Sequence, residues 1–214
     1  LVNSHKERII AGIGGGLAIL VVFTLTLQAE LSVQGDIVLI ASMGASAVLL
    51  FAAPHSLLSQ PWNVIGGHLV SALIGVVVHR LVADTALASG LAVGLAIIAM
   101  HYLRCLHPPG GATSLIPIIL GPAGESYGLI LVLFPIGTSA LAMILLAMLF
   151  NLPFGWRRYP LPLRPKTTKT TGQVASYPDI SHADFVAALA EIDTFVDISE
   201  EDLLRIYRYA TRRR

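Results

Sequence analysis

Apolar positions gather in long blocks separated by short polar or turn-forming punctuation. About 20 apolar residues, at a rise of 1.5 Å each, cross a hydrocarbon core of about 30 Å. Four blocks meet that length: Ile9 to Ala29, Trp62 to Ala83, Ala86 to Leu103 and Tyr127 to Phe150. Two further blocks are short. Ile37 to Ala53 is one; Ala112 to Leu120 is the other, and it follows His107-Pro108-Pro109-Gly110-Gly111, a run that predicts a break in regular helix. The N-terminal block is too long for a cleaved signal and leads straight into more apolar sequence. The chain begins without Met, as a piece of a longer protein would.

Composition turns these blocks into membrane segments. Of the 214 residues 55% are hydrophobic and only 13% charged, against roughly 25% charged in an ordinary soluble domain. Between Ile37 and Trp156 the charges are Arg80, Asp84, Arg104 and Glu125 alone. A net charge of +1, with basic residues at the chain ends, offers no surface for nucleic acid. The single Cys105 excludes an internal disulfide and a cysteine metal cage. No His-x-x-x-His or Glu-x-x-His pair appears, and the membrane blocks hold no paired carboxylates. We therefore expect no metal, no cofactor and no catalysis.

The two short blocks resemble each other. Gly44-Ala45-Ser46 begins a run that ends at Pro54 and Gly111-Ala112-Thr113 one that ends near Pro122, 67 residues apart, and the same offset carries Trp62–Ala83 onto Leu129–Phe150. The first helices, with Gly12/Gly16 and Gly90/Gly94, align only if the second half is shorter. The pattern predicts an all-α, polytopic membrane protein of two internal repeats, inverted if each half crosses three times. Six crossings place Lys6, Arg8, Arg104, Arg157, Arg158, Arg164 and Lys166 on the cytoplasmic side; Glu30, Asp36, Asp84 and Glu125 fall outside with Arg80. Both termini are then cytoplasmic. Trp156-Arg157-Arg158-Tyr159 and the nearby prolines mark an interface. The expected organisation is a membrane domain over 1–160, a linker over 161–178 and a small cytoplasmic helical segment over 179–214. That segment is too short to bury a core alone.

Candidate chemistry centres on His107 to Ser114. Backbone left unsatisfied by Pro and Gly inside lipid must face protein or a watery cavity. With Gly44 near the middle of its block, two helix N-termini are expected to converge near the bilayer midplane. Gly44, Ala45, Ser46 and Gly110, Gly111, Ala112, Thr113 would cradle a small anion with backbone N–H groups, and Ser46, Thr113 and Ser114 hydroxyls would add donors. His107 and His68 are the polar neighbours, able to act as anion partners or titrating gates. The pairs Gly12/Gly16 and Gly90/Gly94 are read instead as helix-packing motifs, and His79 and His101 as interfacial anchors.

His107-Pro108-Pro109-Gly110-Gly111-Ala112-Thr113 resembles the signature of the HPP family of integral membrane proteins. Met43 to Ala47, Pro54-His55-Ser56, Gln60-Pro61 and Asn63 to His68 resemble the family's other marked stretch, and the similarity runs from Arg8 to Pro153. The resemblance implies a multi-pass protein of bacterial inner membranes or plastid envelopes. Members are associated with nitrite transport, so nitrite is the implied anion. Some bacterial members carry cytoplasmic CBS domains, and residues Asp184 to Ala210 resemble the segment that precedes them. The family is usually described with four membrane segments, against the six counted above. Besides the anion, the expected partners are membrane lipid and, left open, further copies of the chain. The alternative reading is a membrane sensor or scaffold acting on a cytoplasmic regulatory domain.

Overall fold

The computed structural model describes residues 5–28 and 33–161. Apart from Leu161, the expected linker and C-terminal helical segment lie outside the described residues. Seven α-helices follow in order: α1 His5–Leu27, α2 Val33–Ala52, α3 Pro61–Leu81, α4 Thr85–Tyr102, α5 Pro109–Leu120, α6 Pro122–Leu131 and α7 Thr138–Asn151. Among the described residues there are no strands. Membrane-competent length and hydropathy occur in α1, in Gly35–Ala52 of α2, in α3, in α4 and in Tyr127–Asn151. With 12 residues, α5 reaches only about 18 Å, so it is a membrane segment that cannot cross alone. Six segments are thus present only if this short one is counted.

Two start signals are local. Pro61 occupies the first turn of α3, where its missing N–H costs nothing. Asp84 caps α4, its carboxylate accepting the Leu87 N–H at 2.8 Å. The end of α5 is set by Gly121, whose φ of +57° suits a residue without Cβ.

Helix α5 sits centrally, packed on α2, α3, α4 and α6. It runs parallel to α3: Asn63 Nδ2 donates to the Leu106 carbonyl near both starts, and His79 Nε2 donates to the Gly121 carbonyl at both ends, each at 2.9 Å. The contact pattern repeats between the halves. As α1 packs on α2 and α7, so α4 packs on α5 and α3; as α2 packs on α7, so α5 packs on α3; and α2 meets α5 directly. This is the arrangement expected if α1–α3 and α4–α7 correspond. The shorter second half has a physical basis. Residues 100–108, which the offset sets against the first two turns of α2, hold the end of α4 and an irregular connection that turns at Arg104, at φ +53°.

Three sequence expectations are corrected here. Gly44-Ala45-Ser46 does not break a helix; α2 runs uninterrupted from Val33 to Ala52, since Gly in an otherwise apolar helix costs only about 1 kcal/mol. The prolines and glycines of the His107 run do not all stay outside helix, because Pro109 takes the first turn of α5 and Gly110 and Gly111 follow within it. The block Tyr127–Phe150 is not one continuous helix. It is interrupted at Gly128, at φ +48°, and again at Phe134, after which a π-helical turn around Pro135 leads into α7.

The packing glycines also differ from those expected. Nothing lies within 4 Å of where a Cβ would stand on Gly12, Gly16, Gly90 or Gly94. The close helix pair is α3 with α5. A Cβ on Gly67 would lie 2.5 Å from His107 Cβ, one on Gly110 would lie 2.9 Å from the Gly67 carbonyl, and one on Gly75 would collide with the Ser114 carbonyl. Gly67, Ser71 and Gly75, spaced four apart, thus form one face of α3 that lets backbone meet backbone.

Candidate functional site

That close approach carries a polar cluster into the core. Ser42, Ser46, His68, His107 and Thr113 are all fully buried. Four elements supply them: α2 gives the two serines on one face, α3 gives His68, the connection before α5 gives His107, and the first turns of α5 give Thr113. Ser46 lies six residues before the end of α2 and His68 seven after the start of α3, so the cluster is about 10 Å from that end of the bundle.

The bonds form a chain. His107 Nδ1 faces the Leu58 carbonyl at 2.8 Å. His107 Nε2 meets Ser46 Oγ at 2.9 Å, and Ser46 Oγ meets His68 Nε2, also at 2.9 Å. His68 Nδ1 meets Thr113 Oγ1 at 2.7 Å, and Thr113 Oγ1 meets Ser42 Oγ at 2.7 Å. The two imidazoles stand edge to face with centroids 5.0 Å apart.

Counting hydrogens fixes the direction when both rings are neutral. A carbonyl only accepts, so His107 carries its proton on Nδ1 and accepts at Nε2. Ser46 spends its one hydrogen there and must accept from His68, which is therefore protonated on Nε2. His68 Nδ1 then accepts from Thr113, and Thr113 accepts from Ser42. Every bond is made and the rings hold opposite tautomers. In a membrane bundle such bonds are each worth roughly 0.6–2 kcal/mol, but leaving any of these groups unpaired costs about 1–3 kcal/mol.

The sequence-predicted residues divide. Ser46, His68, His107 and Thr113 come together. Ser114 is buried, but its hydroxyl turns back to the Gly111 carbonyl of its own helix at 2.8 Å. Gly110 serves the α3 contact, and Gly111 has only Val93 as a distant neighbour. Ala112 is half-buried and Ala45 is exposed. Gly44 lies away from the cluster, lining a cavity of about 580 Å³ between α1 and α2 with Gly12, Gly15 and Gly16.

The anion cradle of two converging helix N-termini is corrected on two counts. The Gly44 segment is mid-helix and has no free amides. At α5, the Gly110 and Gly111 N–H groups donate to the His107 and Pro108 carbonyls at 2.8 and 3.0 Å. What faces inward is hydroxyl and imidazole. Neither the cavity beside Gly44 nor one of about 240 Å³ beside His79 is lined by a cluster residue. Among the described residues no group of three or more His, Cys, Asp or Glu side chains is placed to hold a metal ion.

Ser42 and the carbonyls of Leu58 and Pro109 were not legible as site groups, although Ser42 is one turn before Ser46 and therefore on the same face. A second buried polar cluster was missed too. Arg157, expected at an interface, is 1% exposed. It pairs with Glu7 of α1, bonds the Phe51 carbonyl at the end of α2, and donates through Nε to Asn151 Oδ1 of α7 at 3.0 Å. Beyond it Tyr159, also buried, donates to the Ser59 carbonyl at 2.8 Å, next to the Leu58 carbonyl that holds His107. His79 is tied to Gly121, as described, whereas His101 is exposed at the end of α4.

A family model described as the HPP transmembrane region matches residues 2–160. Two proteins of Dictyostelium discoideum, each named only as a transmembrane protein, are similar: one is 40% identical over 129 residues, the other 42% over 128. Each match covers 58% of this chain, and 41% and 45% of the respective relative. This chain therefore aligns with less than half the length of either. No solved structure matches.

Proposed function

The chain belongs to the HPP transmembrane family, and on that premise we propose that it carries a small inorganic anion, nitrite first, across the membrane by way of the Ser46–His68–His107–Thr113 cluster. The observation that carries the reading is this fully buried set of hydroxyls and imidazoles, set where α2 and α5, the corresponding helices of the two halves, meet. Polar groups at membrane depth are costly to keep and mark solute pathways. The donors for the anion are side chains, in place of the backbone cradle the sequence suggested. Because the cluster is closed, transport requires α5 or the segment before it to move and let the anion replace hydroxyl–imidazole bonds. The reading includes a bacterial inner membrane with both termini in the cytoplasm, and no enzymatic step. Neither imidazole has a carboxylate partner to hold it as a general base.

Anion flux into liposomes holding the purified protein tests this, comparing nitrite, nitrate, formate and chloride against protein-free vesicles. Selective flux is expected. No flux of any anion from folded protein overturns it. Thr113→Val, which keeps shape and removes the hydroxyl, is expected to slow flux; unchanged flux and selectivity would take Thr113 out of the pathway.

One observation favours the second reading, a sensor. The saturated cluster connects through the 57–59 turn to Tyr159, just before the C-terminal region. A sensor would show no flux but a change at Tyr159 when the anion is added.

A further inference from the structure

Three contacts to carbonyls beside the hydrogen-bond chain go unused when both rings are neutral, and two of them bear on what travels with the anion. Ser42 Oγ lies 2.9 Å from the Pro109 carbonyl, and Thr113 Oγ1 lies 3.3 Å from the same oxygen. In the neutral arrangement Ser42 donates to Thr113 and Thr113 to His68, so neither hydroxyl serves Pro109. If His68 takes a second proton, on Nδ1, it donates to Thr113. Thr113 then donates to Ser42 at 2.7 Å, and Ser42 donates to Pro109. Two hydroxyl hydrogens rotate, no heavy atom moves, and every bond is again made. Protonating His107 instead would send the Ser46 hydrogen to the Ser42 carbonyl at 3.2 Å, a longer bond, with both imidazoles donating to one oxygen. The chain is built to hold the extra proton on His68.

We infer that the anion crosses together with one proton, bound on His68, so that the loaded site is electrically neutral. This rests on the transport reading above. An unpaired ion in a dry interior costs on the order of tens of kcal/mol by solvation alone, and the cluster's hydrogen-bond partners among the described residues are hydroxyls, imidazoles and carbonyls, with no Lys or Arg to offset it. Each imidazole's partners are those already named. Of the elements packed on α3, α5 and α7 carry no titratable side chain; α4 brings His101 and Tyr102 with Asp84 as its cap, α6 brings Glu125 and Tyr127, and α2, which reaches His68 through Ser46, brings Asp36, while α3 itself carries His79 and Arg80 at its far end. His107, at 5.0 Å, is the group that faces His68, and like charge at that distance keeps the pair to one proton. The balance is simple: one proton adds to the Nδ1 lone pair on loading and leaves with the anion on release.

The test uses the full chain in liposomes with nitrate as the probe, because the conjugate acid of nitrite crosses lipid unaided. With voltage clamped by potassium and valinomycin, an inward proton gradient of one pH unit is expected to concentrate nitrate by up to about tenfold. A trapped pH dye should report one proton per nitrate. A voltage imposed without a pH gradient should drive nothing. Nitrate uptake that follows voltage, with no acidification, overturns the inference and leaves the transport reading standing. Absence of flux for every anion removes both. His68→Gln is expected to abolish gradient-driven accumulation while folded protein is recovered. As that substitution could itself unfold the site, 15N spectra of wild-type histidines give a second measurement. They should show His68 protonated on Nε2 and His107 on Nδ1 at rest, with His68 gaining the second proton when nitrate binds. Reversed tautomers, or a proton gained by His107, would overturn the assignment.

Discussion

Gly75 and Gly16 are both glycines inside membrane helices, yet alanine should affect them oppositely. At Gly75 a Cβ meets the Ser114 backbone, which cannot step aside, whereas at Gly16 it meets nothing. Gly75→Ala should lower the melting temperature in detergent by the equivalent of about 1–3 kcal/mol. Gly16→Ala should leave it unchanged or raise it, since alanine is the better helix former by about 1 kcal/mol. Equal shifts would mean that α3 and α5 are not in backbone contact. Ser46 is a different case, because both imidazoles depend on its one hydroxyl. Ser46→Ala should cost about 1–3 kcal/mol and slow anion flux. Restoring a hydroxyl with Ser46→Thr should recover part of both losses. If Ser46→Ala melts like the wild type, the chain of bonds is not what holds the cluster.

At the scale of elements, the turn at 57–59 and the segment 153–161 act on each other. Burial pushes the Tyr159 hydroxyl above its ordinary value. A group whose folded pKa is raised adds stability that is complete below its unfolded value, about 10, and is lost as pH rises above it. Alkaline unfolding should therefore begin near that point in the wild type. Tyr159→Phe, which gives up the bond to Ser59 at a cost of about 1 kcal/mol, should flatten the decline. A melting curve against pH for both proteins checks it. The elements themselves were largely legible. Long apolar blocks fix α1, α3 and α4 to within a few residues, because lipid demands length and hydrophobicity and little else. The interruption at Phe134 was not legible in Tyr127–Phe150 as an apolar block, although Pro135 supplied the signal. The site was legible in its chemistry and illegible in its geometry. His107, Thr113, Ser46 and His68 stand out as polar residues in apolar surroundings, whereas the roles of Gly44 and Gly12/Gly16 depend on which helix faces which. No local pattern encodes that.

For the whole molecule, the matching contacts of α1–α3 and α4–α7 make α5 the exceptional member, shorter than its counterpart α2 and preceded by the irregular connection through Arg104. On the proposed transport reading, movement should concentrate there. Cys105 provides a native reporter: it is buried against the Gly66 turn of α3, and burial pushes its thiol above the ordinary range. Maleimide should label it slowly near neutral pH in folded protein. Adding nitrate should speed labelling if the segment opens, while a rate unchanged by any anion would place the moving part elsewhere.

The bond between Glu7 and Arg157 joins positions 150 residues apart, at the start of α1 and just beyond α7. At about 5–20 residues per second of synthesis, α1 waits roughly 8–30 seconds for its partner to be made. During that interval its first turn has no buried arginine to hold. Biogenesis of this protein therefore finishes with a clasp: the last residues of the membrane part decide whether the first helix stays. Arg157→Ala should show its damage first as a nascent chain surrendered to quality control, seen as lost steady-state abundance restored by removing the membrane protease.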